Sequence, residues 1–230
     1  MTRRLVSILV LALLFPLSLA AKDPKNPTWW EKYQFLLKNG ADPSPGATAS
    51  ALSAGTNVDV SNECGPQSET FITLNPSNPS VLAAGSNEIF RDPMRGYFSS
   101  DGGATWGGVD LPLPDPIGTN GSRFGSDPSL AFDTSGNAFY GYIVVFFGNG
   151  SGVKGSEIAV ARSTDGGATY PAVTYFSFET GSNHFNDKPV IAADTTTGPF
   201  RDNVYIAWDA AVGGSASGGV RLARSTDHGA

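Results

Sequence analysis

Cysteine is almost missing from this chain: its 230 residues include one, Cys64, so no disulfide can form within it. Stability must come from packing, even in an oxidising compartment. Basic residues are outnumbered, 15 Lys and Arg against 21 Asp and Glu, for a net charge of −6. Nucleic-acid affinity comes mainly from Lys and Arg neutralising phosphates, so this balance argues against a nucleic-acid partner. Long apolar runs are absent apart from one near the start, "LVSILVLALLFPLSLA", Leu5 to Ala20. It is short for a membrane span and gives way at once to the polar "KDPKNP". Arg3 and Arg4 precede it, and Ser18 and Ala20 suit a small-residue cleavage site. Residues 1–20 therefore read as a signal peptide, and the protein as secreted or extracytoplasmic, without stable membrane insertion after cleavage. An uncleaved N-terminal anchor is the alternative. No cysteine follows the run directly, which argues against a lipid anchor. Cleavage would remove two arginines and no acid, moving the charge from −6 to −8.

What the chain does have is 28 glycines, 16 prolines and many short β-branched and aromatic runs, the composition of an all-β protein rich in turns. One helical candidate precedes the β region. Thr28 and Glu31 have capping-box spacing, Trp29, Trp30, Tyr33, Leu36 and Leu37 share one face, and Gly40 supplies a stop. Small polar residues from Gly40 to Thr56 suit a linker. The expected organisation is a signal over 1–20, helix and linker over 21–55, and a β domain over 56–230.

Within that domain one octapeptide recurs: "SSDGGATW" at Ser99–Trp106, "STDGGATY" at Ser163–Tyr170, and the partial "STDHGA" at Ser225–Ala230. Asp165 follows Asp101 by 64 residues, and Asp227 follows Asp165 by 62. A period of that length is one supersecondary unit. The segments Glu69–Asn87, Asp127–Val145 and Lys188–Asp209 each read strand, polar turn, strand. A third strand follows in "GYFSS", "EIAVARS" and "VRLARS", and a fourth in "TYPAVTYFSF". Four antiparallel strands per unit describe a β-propeller blade, with blades near 67–112, 127–178 and 187–230. The octapeptide then falls at the turn between third and fourth strands. There its Asp accepts backbone amides, its Gly takes positive φ, and its aromatic covers apolar surface.

Ser99, Asp101, Gly103, Thr105 and Trp106 match the Ser-x-Asp-x-Gly-x-Thr-aromatic pattern, as do Ser163, Asp165, Gly167, Thr169 and Tyr170, and in part Ser225, Asp227 and Gly229. The pattern resembles the Asp-box, or BNR, repeat of the sialidase-like propellers over residues 67–230. It implies the fold more than the activity, because Asp boxes also occur in propellers that are not sialidases. Three blades do not close a ring, so the expectation is that these residues are the N-terminal part of a six- or seven-bladed protein.

In a four-stranded meander the first and third turns share one end, and the loops at the opposite end build any ligand site. That end gathers Glu88, Arg91, Asp92 and Arg95 from one loop, Arg123 and Asp127 from the next, and His184, Asp187 and Lys188 from a third. Glu69, Asp127 and Asp187 recur near the starts of the inner strands. They would line a cation site or sugar pocket, or else satisfy backbone amides. The resemblance implies an acid/base carboxylate in the loop before the first Asp box, where Asp92 stands, and arginines for a substrate carboxylate, where Arg91 and Arg95 stand. Arg123, Asp127 and Asp187 are the further substrate-binding candidates. The first inner strand, "ETFITLNP", lacks the family's Arg-Ile-Pro motif, and "FRDP" at Phe90–Pro93 lies one loop later. No cofactor is required; a structural cation such as Ca2+ has only the three acids behind it. Three functions stay open: a sialidase-like glycosidase, a non-catalytic propeller binding a glycan, glycoconjugate or protein, and an exported spacer. Asn120-Gly-Ser and Asn149-Gly-Ser are glycosylation sequons where the host modifies exported proteins.

Overall fold

The computed structural model describes residues 57–148, 152–180, 184–212 and 215–229, with Lys38, leaving aside the side chains of 184, 211, 212 and 215–218. The signal segment, the linker, the sequon at Asn149 and, apart from Lys38, the expected helix lie outside them. The described strands belong to the compact unit Thr56–Ala230.

The chain forms three antiparallel sheets whose strands follow sequence order. The first comprises β1 (Gln67–Asn75), β2 (Asn78–Glu88), β3 (Arg95–Ser99) and β4 (Gly107–Asp110). The second comprises β5 (Ser122–Phe132), β6 (Ala138–Phe147), β7 (Val153–Ser163) and β8 (Ala172–Thr180). The third comprises β9 (His184–Ala193), β10 (Val204–Val212) and β11 (Ser215–Ser225). The first strands are neighbours across sheets, β1 against β5 and β5 against β9.

The second sheet is covered on both faces, and alternation along β6 shows it. Ala138, Tyr140, Tyr142, Val144 and Phe146 point into the core shared with the first sheet. Phe139, Ile143 and Val145 point into the core shared with the third, against Ile191, Ile206 and Trp208. A strand buried on both sides reads as continuous apolar sequence, and "AFYGYIVVFF" does. Close approach also dictates a glycine: a Cβ on Gly85 would stand 2.3 Å from the Tyr140 hydroxyl.

The octapeptides connect β3 to β4 and β7 to β8, and the third follows β11. In the first, the Ser99 hydroxyl donates to Asp101 (2.8 Å) and accepts from the Gly103 amide (2.9 Å). Asp101 in turn accepts the Thr105 amide (2.9 Å) and hydroxyl (2.6 Å). Ser163, Asp165, Gly167 and Thr169 repeat these bonds within 0.1 Å. Ser225, Asp227 and Gly229 repeat the Ser part. Gly103 and Gly167 hold φ of 90° and 96°, a region L side chains avoid. These are hairpin corners held by their own side chains.

Each later corner also lodges against the preceding sheet. Tyr170 is buried between the first two sheets, edge-on to Tyr140 at 5.8 Å. His228 Nδ1 lies 3.0 Å from Oδ2 of Asp133, a fully buried carboxylate that also accepts Asn137. Trp106 is only half-buried, its indole N–H donating to the Gly103 carbonyl.

The Tyr170 hydroxyl is buried without a hydrogen-bond partner. Removing an unsatisfied hydroxyl costs nothing, whereas removing the ring opens a cavity. Tyr170→Phe should leave stability unchanged or raise it by up to about 1 kcal/mol, while Tyr170→Ala should cost about 3–5 kcal/mol in denaturant unfolding.

The corner aspartates set an acid limit. Hydrogen bonds from the Thr105 hydroxyl and amide and from Ser99 hold Asp101 down to about 2. At Asp165 burial pushes upward, but bonds from Thr169 and Ser163 outweigh it and the net shift is downward. A carboxylate depressed by folding stabilises the native state above its unfolded pKa, and that contribution vanishes as pH falls through the folded value. Stability should therefore drop between about pH 4 and pH 2. An Asp101→Asn, Asp165→Asn variant should melt lower at pH 7 and show a shallower loss across that window.

Candidate functional site

The end of the sheets opposite the corners carries an ionic cluster built by three bulges. Pairing of β1 with β2 slips between Ser68 and Phe71, and pairing of β5 with β6 slips between Ser126 and Ser129. Pairing of β10 with β9 slips opposite Lys188 and Pro189. At each slip one non-glycine residue has a left-handed backbone: Glu69 (φ 51°), Asp127 (φ 59°) and Lys188 (φ 46°). Such conformations cost free energy and are held by their surroundings. Pro128 and Pro189 follow two of them, residues without an N–H at a place where the ladder is interrupted.

The structural equivalent of Glu69 and Asp127 in the third sheet is thus Lys188, with Asp187 just before it. Because neighbouring first strands pack together, the bulge residues meet. Lys188 Nζ lies 2.8 Å from Glu69 Oε1 and 3.3 Å from Asp127 Oδ2. Asn87 ties the first two bulges together, accepting the Asp127 amide (2.8 Å) and donating to Glu69 and Ser126. Ser126 donates to Asp127 (2.7 Å), and the Lys188 amide reaches Asp187 (3.0 Å). Burial pushes the Asp127 carboxyl up, but bonds with Glu69, Ser126 and Asp187 and the Lys188 charge pull it down further. Burial and the adjacent Asp127 raise Asp187, so the two carboxyls are pushed in opposite directions. Its bond to Glu69 raises Lys188, which stays an ammonium. The cation these carboxylates hold is Lys188; among the described residues no group of three or more acids, His or Cys has a metal-binding arrangement.

The other candidates form a separate group. Arg95 on β3 faces Asp110 on β4 across the ladder at 2.7 Å, and its Nε lies 3.0 Å from Glu63. Arg91 reaches the same partners, Asp110 at 2.7 Å and Glu63 at 3.5 Å. Both guanidinium groups are thereby engaged, two strands or more outward from β1. Asp92 is well exposed, its carboxylate 3.8 Å from Arg123, whose Nε donates to the Pro114 carbonyl. Asp92 lines a cleft between the β2–β3 loop and β5 with Asn87, Phe90 and Ser126. His184 begins β9.

A Tyr–Glu pair is present that the sequence did not signal. The Tyr97 hydroxyl donates to Glu88 at 2.8 Å, and Ser86 donates to the same carboxylate at 2.9 Å. Burial pushes Tyr97 well above the ordinary tyrosine range, the wrong direction for a nucleophile. Asn87, Ser126, Glu63 and Asp110 were likewise not foreseen. A signal for Lys188 did exist: aligning Asp127-Pro128 with Lys188-Pro189 selects it over Asp187.

No protein-family model matches the chain, and neither does any curated protein.

Lys188 is 61% exposed, so its loss should be mild for stability and visible mainly in titration. Lys188→Met should cost about 1 kcal/mol or less, and the Asp127 carboxyl should titrate at higher pH by carbon-detected NMR. An unmoved Asp127 titration would remove Lys188 from the cluster's electrostatics.

Proposed function

We propose that residues 67–229 are three blades of an exported Asp-box propeller that holds a glycan or protein ligand, without hydrolysing it, on the end opposite the corners. One observation carries the choice of a binding module over an enzyme. Arg91 and Arg95, the arginines a sialidase-like site would turn toward a substrate carboxylate, are both held by Asp110 and Glu63. Turning either toward a ligand would break its ion pairs with both carboxylates. Asp92 lacks the enclosure that tunes a glycosidase acid, and Tyr97 is shifted away from nucleophilic use.

The propeller reading draws support from the meander order, the neighbouring first strands and the side-chain-clasped corners at one end. The binding end is supported by the strained bulges, which bring Glu69, Asp127, Asp187 and Lys188 together beside the Asp92 cleft. Strain of this kind gathers at ligand clamps and active sites. Carboxylates, an amide and an ammonium offer donors and acceptors suited to hydroxyls or to a peptide backbone.

A sialidase-like glycosidase is the second reading, favoured by the place of Asp92 in the loop before the first corner. The deciding experiment pairs a fluorogenic sialoside with a glycan array. Array binding without turnover is expected, weakened at least tenfold by Lys188→Met and within twofold of the parent in Asp92→Asn. Sialoside turnover abolished by Asp92→Asn would overturn the binding module in favour of the enzyme.

A further inference from the structure

The loop between β2 and β3, residues 89–94, is tied down at three points. The Ile89 amide donates to the Pro66 carbonyl (3.3 Å), and the Asp92 carbonyl accepts the Gly125 amide of β5 (2.9 Å). Met94 is fully buried against Gly125, where any side chain would collide with it. On a loop held this firmly Phe90 is nonetheless 82% exposed, with Ile89 exposed beside it. Phe124 lines the same cleft from β5, 37% exposed and stacked on Phe147 at 5.1 Å. The cleft between loop and strand holds about 410 Å³. It lies where the first and second sheets meet, so a further sheet beside the first or the third would not cover it.

Most polar groups of the cleft are already spent. Asn87 is bonded to the Asp127 amide, Glu69 and Ser126, and the Ser126 hydroxyl donates to Asp127. The Glu88 carboxylate accepts Tyr97 and Ser86, and Arg91 is paired with Asp110 and Glu63. Asp92 is the exception. Its side chain is 65% exposed and approaches only Arg123, at 3.8 Å, while the Arg123 Nε serves the Pro114 carbonyl. The cleft therefore presents two phenyl rings and one carboxylate with room for donors. A sugar needs several open hydrogen-bond partners and would find one. A guanidinium fits better, because its plane lies on an aromatic ring while its N–H fork pairs with a carboxylate. The chain's charge of −6 favours the approach of such a cation.

We infer that this cleft binds an arginine side chain of a basic protein partner, the guanidinium paired with Asp92 and stacked on Phe90 or Phe124. The site makes no use of Lys188. It stands or falls apart from the ligand proposed at the bulges.

Proton–nitrogen NMR on the purified chain tests it with the blocked peptide acetyl-Ala-Leu-Arg-Leu-Ala-amide. The amides of Phe90, Asp92 and Gly125 should shift saturably, and binding should weaken as salt is raised. The same peptide carrying citrulline, neutral and nearly isosteric with arginine, should bind about tenfold more weakly. Phe90→Ser and Asp92→Asn should each weaken the arginine peptide about tenfold with circular dichroism unchanged, since both side chains are exposed. Lys188→Met should stay within about threefold of the parent, because an exposed charge outside the cleft is screened. The absence of saturable shifts at those amides by about 10 mM peptide overturns the inference. So does equal binding of the citrulline peptide, or parental binding by Phe90→Ser. Glycans that shift those amides where the peptide does not would make the cleft a sugar subsite and overturn it as well.

Discussion

The middle sheet has no side that faces water, and the rest of the molecule follows from that constraint. β6 places tyrosines and valines on one face and phenylalanine, isoleucine and valine on the other. A meander with two apolar faces must be covered twice, so the unit cannot stand alone and needs a neighbour on each side. Repetition of the unit is the economical answer, because each copy offers both the covering face and the face to be covered. Inter-sheet hydrogen bonds then add specificity. Ile191 donates to Ser129, and Asn186 donates through its amide to Ser156 at 2.7 Å while accepting the Trp208 indole at 2.9 Å.

The octapeptide solves the remaining problem of position. Packing of flat apolar faces resists separation better than it resists sliding, and a corner lodged against the neighbour fixes the offset. Tyr170 enters the first interface and the His228–Asp133 contact closes the second. For a corner to be a reliable peg its own shape must be fixed, and Ser, Asp, Gly and Thr achieve this with side-chain bonds to backbone amides. The motif recurs because a mechanical part is needed at every junction. Its aspartates stand at three separate corners, bonded inward, and do not converge on a pocket.

Much of the β architecture was legible because it depends on local signals. Strand runs bounded by Asn, Pro and Gly gave the meander order, and the octapeptides gave the third-to-fourth turns. Boundaries were looser: β5 begins at Ser122 and β9 at His184, several residues before Asp127 and Asp187. The candidate site was less legible because its outcome turned on a one-residue register and on distant partners. A bulge exchanges which residue points inward, so Lys188 rather than Asp187 holds the place of Asp127. Arg91 and Arg95 looked available because Glu63 lies some thirty residues upstream and Asp110 on the next strand. Burial of Tyr97 against Glu88 needed the cross-strand register and had no local signature.

Charge explains why the bulges sit where they do. Three sheets bring their first strands together, and each first strand turns one left-handed residue toward the meeting point. Three acids there would repel, and three apolar residues would have no reason to bear the strain. Two acids and a lysine remove the repulsion, and Asp187, raised by burial and by Asp127, stands just before the lysine. Asn87 and Ser126 then satisfy the oxygens the lysine does not reach. The Lys188 side chain is 61% exposed while Asp127 beneath it is 9%. The ammonium lies at the surface, above a carboxylate held by hydrogen bonds from Ser126 and the Lys188 amide. The cluster thus grades from a pinned acid, Asp127, to an accessible cation, Lys188.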